Sequence, residues 1–333
     1  SLMERDTDDT RLDSDFSVIE YKTFKLGDQT FAVIIFRGKG MPTHVIPVID
    51  NSGSMSWSGG HRIKMANRLH GLGPKTLYYN SVAQVVPADD PPLHARGGTN
   101  FADAIKNLHP LYTEWRASNP EVPCHVMIAS DGGSITPETL TVLNDLFAEH
   151  AHPLNTTTVL LLGNEGNADF GWKLNAALNG GQSQTFTELF HNDPPHKTEE
   201  EQNATFMKIK EDIPVWTELK FDDGTCEFVP VISQENGTST VLLPLSGKTP
   251  ASIQGQLLSE PNEVAPSEYA SLLAKYLSDG PTSQALGAGT DKGRQEEAQM
   301  RAFENLNLLQ LLADNMLNQD PPKRMNAEWY ARK

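Results

Sequence analysis

Three short and nearly continuous apolar runs mark the central part of the chain, and a polar loop follows each. They are HVIPVID (44–50), HVMIAS (125–130) and TTTVLLLG (156–163). Runs of this kind are typical of strands buried on both faces of a parallel sheet. Segments with helical spacing lie between them, such as the one that starts at Phe101 and places Ile105 and Leu108 on one face. The alternation predicts an α/β fold with a doubly wound, mostly parallel sheet and binding loops at the carboxyl ends of its strands.

The segments on either side of this region are rich in β-branched and aromatic residues. Two of them flank a Gly-Asp turn near the start of the chain, and three later ones are separated by Asp-Gly and Asn-Gly turns. A lone hairpin is too small to be stable, and the later strands would leave open edges. We therefore predict a discontinuous antiparallel β-sandwich made of residues 16–40 and 213–256. The remaining predicted parts are a flexible leader (1–15), the α/β domain (41–212) and a linker with C-terminal helices (257–333).

The composition narrows the classes of function. The chain has 333 residues, with 27 basic and 43 acidic side chains and a formal net charge of −16. Nucleic acids and membrane surfaces are bound through basic faces, so neither is an expected partner, and the apolar runs are too short for membrane insertion. Only two cysteines are present, which gives no disulfide framework. We predict an intracellular, cytoplasmic protein.

The candidate chemistry lies directly after the predicted buried strands. Asp50, Ser52 and Ser54 occupy alternate positions in the first loop, Thr99 stands in the loop GGTN, and Asp131 follows the second apolar run. All five side chains offer hard oxygen ligands. Carboxylates, hydroxyls and water suit Mg²⁺ or Mn²⁺, with Ca²⁺ as an alternative. Two carboxylates would neutralise a divalent ion, and the hydroxyls would add coordination without adding charge.

These residues resemble the metal-ion-dependent adhesion site of the von Willebrand factor A family, the integrin inserted-domain fold. The resemblance rests on DNSGS (50–54), the threonine of GGTN and the aspartate of SDGG, and it covers roughly residues 41–212. It implies that Asp50, Ser52 and Ser54 hold the ion, while Thr99 and Asp131 alternate between direct and water-bridged contact. It also implies that a protein partner supplies a Glu or Asp carboxylate to complete the coordination.

Other interpretations stay open at this point. The loop could be a helix cap, or the site could be a vestige that keeps the fold and binds no ion. Trp57 and His61 follow the loop and could line the ligand face, or Trp57 could pack on a neighbouring loop. The leading hypothesis is a metal-dependent protein-interaction module. The alternative is an accessory or scaffold subunit of an ATPase-driven chelatase or remodelling complex, or of a ubiquitin-pathway complex. No G-x-S-x-G elbow or phosphate loop is present, and we predict that the chain is not an enzyme.

Overall fold

The computed structural model describes residues 16–41, 43–133, 135–137, 139, 142–163, 169–180, 186–191, 197–277 and 292–317. The described residues form two compact units. The two-sheet unit contains residues 16–41, 215–277 and 300–317, and the α/β unit contains those from 43 to 214 together with 292–299. The predicted leader 1–15 and the last residues of the predicted tail lie outside the described residues.

The strands are, in chain order, β1 (Ser17–Leu26), β2 (Gln29–Arg37), β3 (His44–Asp50), β4 (Lys75–Tyr79), β5 (Ala83–Pro87), β6 (Cys124–Ser130), β7 (Thr156–Leu161), β8 (Phe186–His191), β9 (Trp216–Phe221), β10 (Cys226–Pro230), β11 (Ser233–Glu235), β12 (Thr238–Pro244), β13 (Pro250–Ile253), β14 (Gln256–Leu257) and β15 (Asn262–Glu263). The helices are α1 (His61–Ala66), α2 (Phe101–Ser118), α3 (Leu143–Phe147), α4 (Asp169–Asn179), α5 (Glu199–Glu211), α6, with described residues 270–277, and α7 (Lys292–Leu317).

The two-sheet unit is built from a five-stranded sheet, with the order β11-β12-β2-β1-β15, and a four-stranded sheet, with the order β10-β9-β13-β14. The first hairpin turns at Gly27, whose φ of 60° suits a residue without a side chain. Strands β2 and β12 pair antiparallel, whereas β15 lies parallel to β1. The larger sheet is therefore mixed, and not purely antiparallel as the sequence suggested, because the chain returns along β1 in the same direction.

Alternation along β2 sends its side chains into two separate cores. Ile34 and Phe36 belong to a core shared with Leu219 of β9 in the second sheet. Phe31 and Val33, which have the opposite parity, belong to a second core with leucines of α6 and α7. This period of two is what strand geometry imposes. The larger sheet consequently contributes apolar side chains to a core on each of its faces.

The α/β unit has a six-stranded sheet with the order β5-β4-β3-β6-β7-β8, in which only the β4–β5 pair is antiparallel. The helices contribute to two different cores of this unit. One contains residues of α2, α3 and α4, and the other contains residues of α1 and Ile209 of α5. The prediction of a mixed α/β fold with a mostly parallel sheet is thus confirmed at this level.

Between positions 137 and 150, the described residues are helical at Pro137, at Thr139 and in α3, and a 3-10 turn over Ala148–His150 follows. One element of the α/β unit differs from the sequence analysis. The edge strand β8 was not predicted. Within the described residues, no helix combines the length and apolar character needed to cross a membrane.

Candidate metal centre

The candidate site lies where the strand order of the α/β sheet reverses. The chain passes from β3 to β4 on one side, whereas β6 pairs with β3 on the other side. Ile49 is paired with Ala129, so both strands end at the same level and deliver Asp50 and Asp131 to one edge. In open α/β sheets, ligands bind outside the carboxyl ends of the strands at such a reversal.

Asp50 is fully buried, and both of its carboxylate oxygens are engaged. The Ser52 backbone N–H donates to Oδ1 at 2.8 Å, and the Ser130 hydroxyl donates to Oδ2 at 2.8 Å. Burial raises the pKa of Asp50, the hydrogen bonds from Ser52 and Ser130 lower it, and the charge of Asp131 raises it further. The carboxylate is therefore fixed in position, and its negative charge lacks solvation, which favours a nearby cation.

The two serines of the loop have their hydroxyl oxygens 3.1 Å apart. Ser52 is buried, and Ser54 lies in the 3-10 helix Gly53–Ser56. The Gly53 N–H donates to the Gly97 carbonyl at 2.9 Å, and a β-carbon on Gly53 would be 3.0 Å from that oxygen. Glycine at this position therefore allows a close approach between the loop and the segment that carries Thr99.

Asp131 is 8% exposed and is held from two sides. Its Oδ1 accepts from the Gly133 N–H at 3.2 Å, and its Oδ2 lies 3.6 Å from Nη1 of Arg62. Ser130 connects the Asp50 carboxylate to the loop that carries Asp131, because its hydroxyl donates to Asp50 and accepts from the Gly132 N–H at 3.0 Å. Ser130 and Arg62 were not singled out in the sequence. Ser130 directly precedes Asp131, whereas no spacing rule marks Arg62.

Hydrogen bonds made by the residues just before Thr99 hold its segment at the same edge of the sheet. The Arg96 N–H donates to the Asn51 carbonyl, and Gly97 accepts from Gly53. The Gly98 N–H donates to the Ser81 hydroxyl at 2.9 Å just beyond β4. Thr99 is half-buried, and its hydroxyl makes no hydrogen bond with the residues that the structure describes. Hydrogen bonds therefore join Asp50, Ser52 and Ser54 directly. Asp131 is connected to Asp50 only through Ser130 and the Gly132 backbone, and Thr99 lies in the adjoining segment.

The donor set fits a small, hard divalent ion. Among the described residues, no group of three or more His, Cys, Asp and Glu side chains is arranged for a metal, so a site here depends on hydroxyls beside two carboxylates. The Ser52 and Ser54 hydroxyls lie 3.1 Å apart, which is the distance of a hydrogen bond between them, so both oxygens are close enough to serve one ion.

Trp57 lies next to the loop and is largely open to solvent. Its side chain is 61% exposed, and the guanidinium carbon of Arg62 lies 6.0 Å from the centre of its ring. Of the two roles considered for Trp57, this exposure agrees poorly with packing against a neighbouring loop. His61, the first residue of α1, is also exposed.

Comparison with known proteins yields likeness to solved structures alone. No protein-family model matches the sequence, and no curated protein sequence matches it. Among the solved structures that match is BatB from Bacteroides thetaiotaomicron, with 14% identity over 51% of this chain and 98% of that chain and a TM-score of 0.34. Human COPII-coat protein Sec24c matches with 11% identity over 82% of this chain and 51% of that chain, with a TM-score of 0.35. Likeness this remote identifies no family, so the resemblance drawn from the loop residues stays a prediction.

The prediction that the chain is not an enzyme is contradicted by further matches. They include a dienelactone hydrolase from Anabaena variabilis, with 14% identity over 59% of this chain and 96% of that chain and a TM-score of 0.24. An esterase from Pyrococcus furiosus matches with 13% identity over 59% and 88%, again with a TM-score of 0.24. The prediction relied on the absence of hydrolase motifs from the sequence. That absence is not decisive, because a sheet with loops at the carboxyl ends of its strands can support either binding or catalysis. This likeness concerns the fold and assigns no activity.

Proposed function

We propose that this chain is a divalent-metal-dependent protein-interaction module of the von Willebrand factor A type, with a doubly wound sheet. The observation that carries the proposal is the pair of buried carboxylates, Asp50 and Asp131, beside two hydroxyls 3.1 Å apart at the edge where the strand order reverses. A bound Mg²⁺ or Mn²⁺ would supply the positive charge that attracts a Glu or Asp carboxylate of a protein partner.

Each residue of the site has a defined task in this proposal. Asp50 supplies charge from a position fixed by Ser52 and Ser130. Ser52 and Ser54 supply neutral oxygens, so that the ion keeps its attraction for a further ligand. Asp131 and Thr99 are assigned the variable contacts, direct or through water, that the family resemblance implies.

The net charge of the chain supports a local cation at the docking point. A formal charge of −16 would repel an acidic partner at long range. A divalent ion at the edge of the sheet would reverse the potential locally, and the acidic surroundings would help to recruit it. We therefore expect partner binding to require the metal more strictly than folding does.

Metal binding can be tested directly by titrating Mn²⁺ into the full chain and following it by isothermal calorimetry. We expect one site in the wild type and at least a tenfold weaker site in Asp50→Asn, because removing one of two charged ligands lowers the attraction for the ion. Asp89→Asn is the matched control, because it makes the same change at an exposed position of the same unit. Equal Mn²⁺ affinities in all three proteins would refute the proposal.

Partner capture tests the second half of the proposal. Immobilised wild type and Asp50→Asn are compared in Mn²⁺ and in EDTA. We expect a partner retained only by the wild type with Mn²⁺, and lost when its Glu or Asp at the contact is changed to Gln or Asn. The partner's identity would separate an adhesion-type module from a subunit of an ATPase-driven or ubiquitin-pathway complex. Capture that is indifferent to EDTA would contradict the metal-bridged mechanism.

A further inference from the structure

Arg62 is a poorly satisfied cation at the edge of the candidate metal centre. It belongs to α1, and its side chain is only 15% exposed. Among the residues that the structure describes, its ion-pair partner is Oδ2 of Asp131, 3.6 Å from Nη1. Its Nε is buried and has no hydrogen-bond partner among the residues that the structure describes. A guanidinium has five N–H donors, and within the described part of the chain this long contact to Asp131 is its one ion pair.

The position of this guanidinium depends on a glycine. A β-carbon on Gly163, just beyond β7, would lie 2.9 Å from Nη2 and 3.1 Å from Cζ of Arg62. The φ of Gly163 is 146°, which side chains rarely adopt. A side chain at 163 would therefore force the guanidinium to shift from this place. The ring of Trp57 also faces it, at 6.0 Å. The arginine is thus held at the site by residues from three segments of the α/β unit.

The charges at this edge explain why an arginine can be kept there. Asp50 and Asp131 place two nearly buried negative charges close together, and a buried charge needs a counter-charge. Arg62 offsets part of this charge while no divalent ion is bound. If Asp131 turned to a bound ion, the guanidinium would lose this partner. It would then present a planar fork suited to a carboxylate.

We propose that Arg62 is the second cation of the site: it holds Asp131 in the absence of the divalent ion and pairs with the partner's carboxylate when the ion is bound. This inference rests on the proposed function and deepens it. It predicts two effects of opposite sign. Arg62 weakens the binding of the ion, because both compete for Asp131 and repel each other. It strengthens the binding of the carboxylate, because both cations then attract the same group.

The test uses Mn²⁺ alone and then acetate as a carboxylate probe, in the full chain. Mn²⁺ affinity is measured by calorimetry. Acetate binding is measured by water-proton relaxation, which slows when acetate displaces water from bound Mn²⁺. We expect Arg62→Gln to tighten Mn²⁺ by about fivefold and to weaken acetate by about fivefold. Arg62→Lys keeps the charge but loses the fork, so it should retain the Mn²⁺ affinity of the wild type and bind acetate at an intermediate level.

Arg68→Gln is the matched control, because this arginine is in the same part of the chain but lies over Phe206, 4.4 Å from its ring centre. Far-UV circular dichroism verifies that each variant is folded. Unchanged Mn²⁺ and acetate affinities in Arg62→Gln would overturn this inference and leave the proposed function intact, as would a shift of both in one direction. A wild type that binds no Mn²⁺ would overturn both.

Discussion

The two units of the chain bury different kinds of polar groups. Among the described residues, the buried polar side chains of the two-sheet unit are small and neutral, namely Thr217, Ser239 and Ser252. The α/β unit buries ionisable groups as well, namely Asp50, Arg116, His125 and Asp131. All ten histidines of the chain lie between positions 44 and 196. Hence we expect the stability of the α/β unit to depend on protons and ions, and that of the two-sheet unit to depend on apolar packing.

Glycine substitutions should give the largest difference in the loss of stability between the two units. A β-carbon on Gly73 in the α/β unit would lie 2.0 Å from the Val45 carbonyl oxygen, and backbone cannot yield easily. Gly73→Ala should lower the free energy of unfolding by about 4 kcal/mol. Gly237 in the two-sheet unit has open space around it but a φ of 77°, so Gly237→Ala should cost only about 1 kcal/mol. Urea denaturation of both variants measures the difference, and equal losses would contradict it.

Acidification should weaken the α/β unit first. Burial lowers the pKa of His125 to about 3, and it lowers those of His44 and His152 to about 4 with help from the charge of Arg116. The unfolded chain takes up protons near pH 6.5, whereas these folded histidines stay neutral, so stability is present above that pH and is lost as the pH falls. Between pH 7.5 and 5, we expect the fully buried His125 to account for a loss of about 2 kcal/mol, and the partly exposed His44 and His152, whose charges water screens, to add less than that each.

Hydrogen exchange at the two pH values, corrected for intrinsic rates, locates this loss. Protection should fall in β3, β6 and β7, which carry or flank these histidines, and change little in β2 and β12. His125 bonds to the hydroxyls of Thr156 and Thr158 at 2.6 and 2.9 Å. His125→Gln should flatten the pH dependence. An equal loss of protection in both units would contradict the expectation that the α/β unit alone depends on protonation.

Replacing Asp50 should weaken metal binding and increase the stability of the metal-free protein. Because burial raises the pKa of Asp50, its charged form is unfavourable at neutral pH when no ion is bound. We expect Asp50→Asn to raise the free energy of unfolding in EDTA by about 1 kcal/mol. Added Mg²⁺ should raise the melting temperature of the wild type by more than that of the variant at the same concentration. A variant that melts lower than the wild type in EDTA would show that the carboxylate serves the fold.

The smallest expected effect concerns exposed apolar side chains. Trp57 in the α/β unit is 61% exposed, and Leu257 in the two-sheet unit is 82% exposed. Changing either to Ala should alter stability by less than about 0.5 kcal/mol. Only Trp57→Ala should reduce Mn²⁺-dependent partner capture, because an exposed aromatic side chain at the edge of a site is a frequent anchor. Equal capture by the two variants would assign Trp57 no part in binding.

The sequence predicted best those features that depend on strand ends. Asp50, Ser52 and Asp131 could be placed together, because parallel strands that end at one edge bring their following loops into contact. The strand β8 was missed, since FTELFH mixes polar and apolar residues and lacks the continuous apolar run of β3, β6 and β7. Strand β15 has only two residues, which is below what periodicity can detect.

Arg62 could not have been found from the sequence. Its place at Asp131 depends on the direction of a six-residue helix and on the close approach of Gly163, which lies about a hundred positions further along the chain. No local pattern encodes such a contact. Thr99 illustrates the opposite case. Its place in the motif was recognised in the sequence, but its hydroxyl makes no hydrogen bond with any residue in the described part of the chain.

The segment that carries Ser54 and Arg62 consists of 3-10 turns around the short helix α1. Short 3-10 turns have poorer hydrogen-bond geometry than α-helix, and few bonds need to break for them to open. Met55, Met65, Ala66 and Leu69 anchor the segment in a core of the unit. Between these anchors, the short turns should open locally at a lower free energy than the sheet. Sequence changes at the exposed positions of the segment can then tune affinity while the global stability of the unit stays the same, so the binding strength of the site can evolve independently of its scaffold.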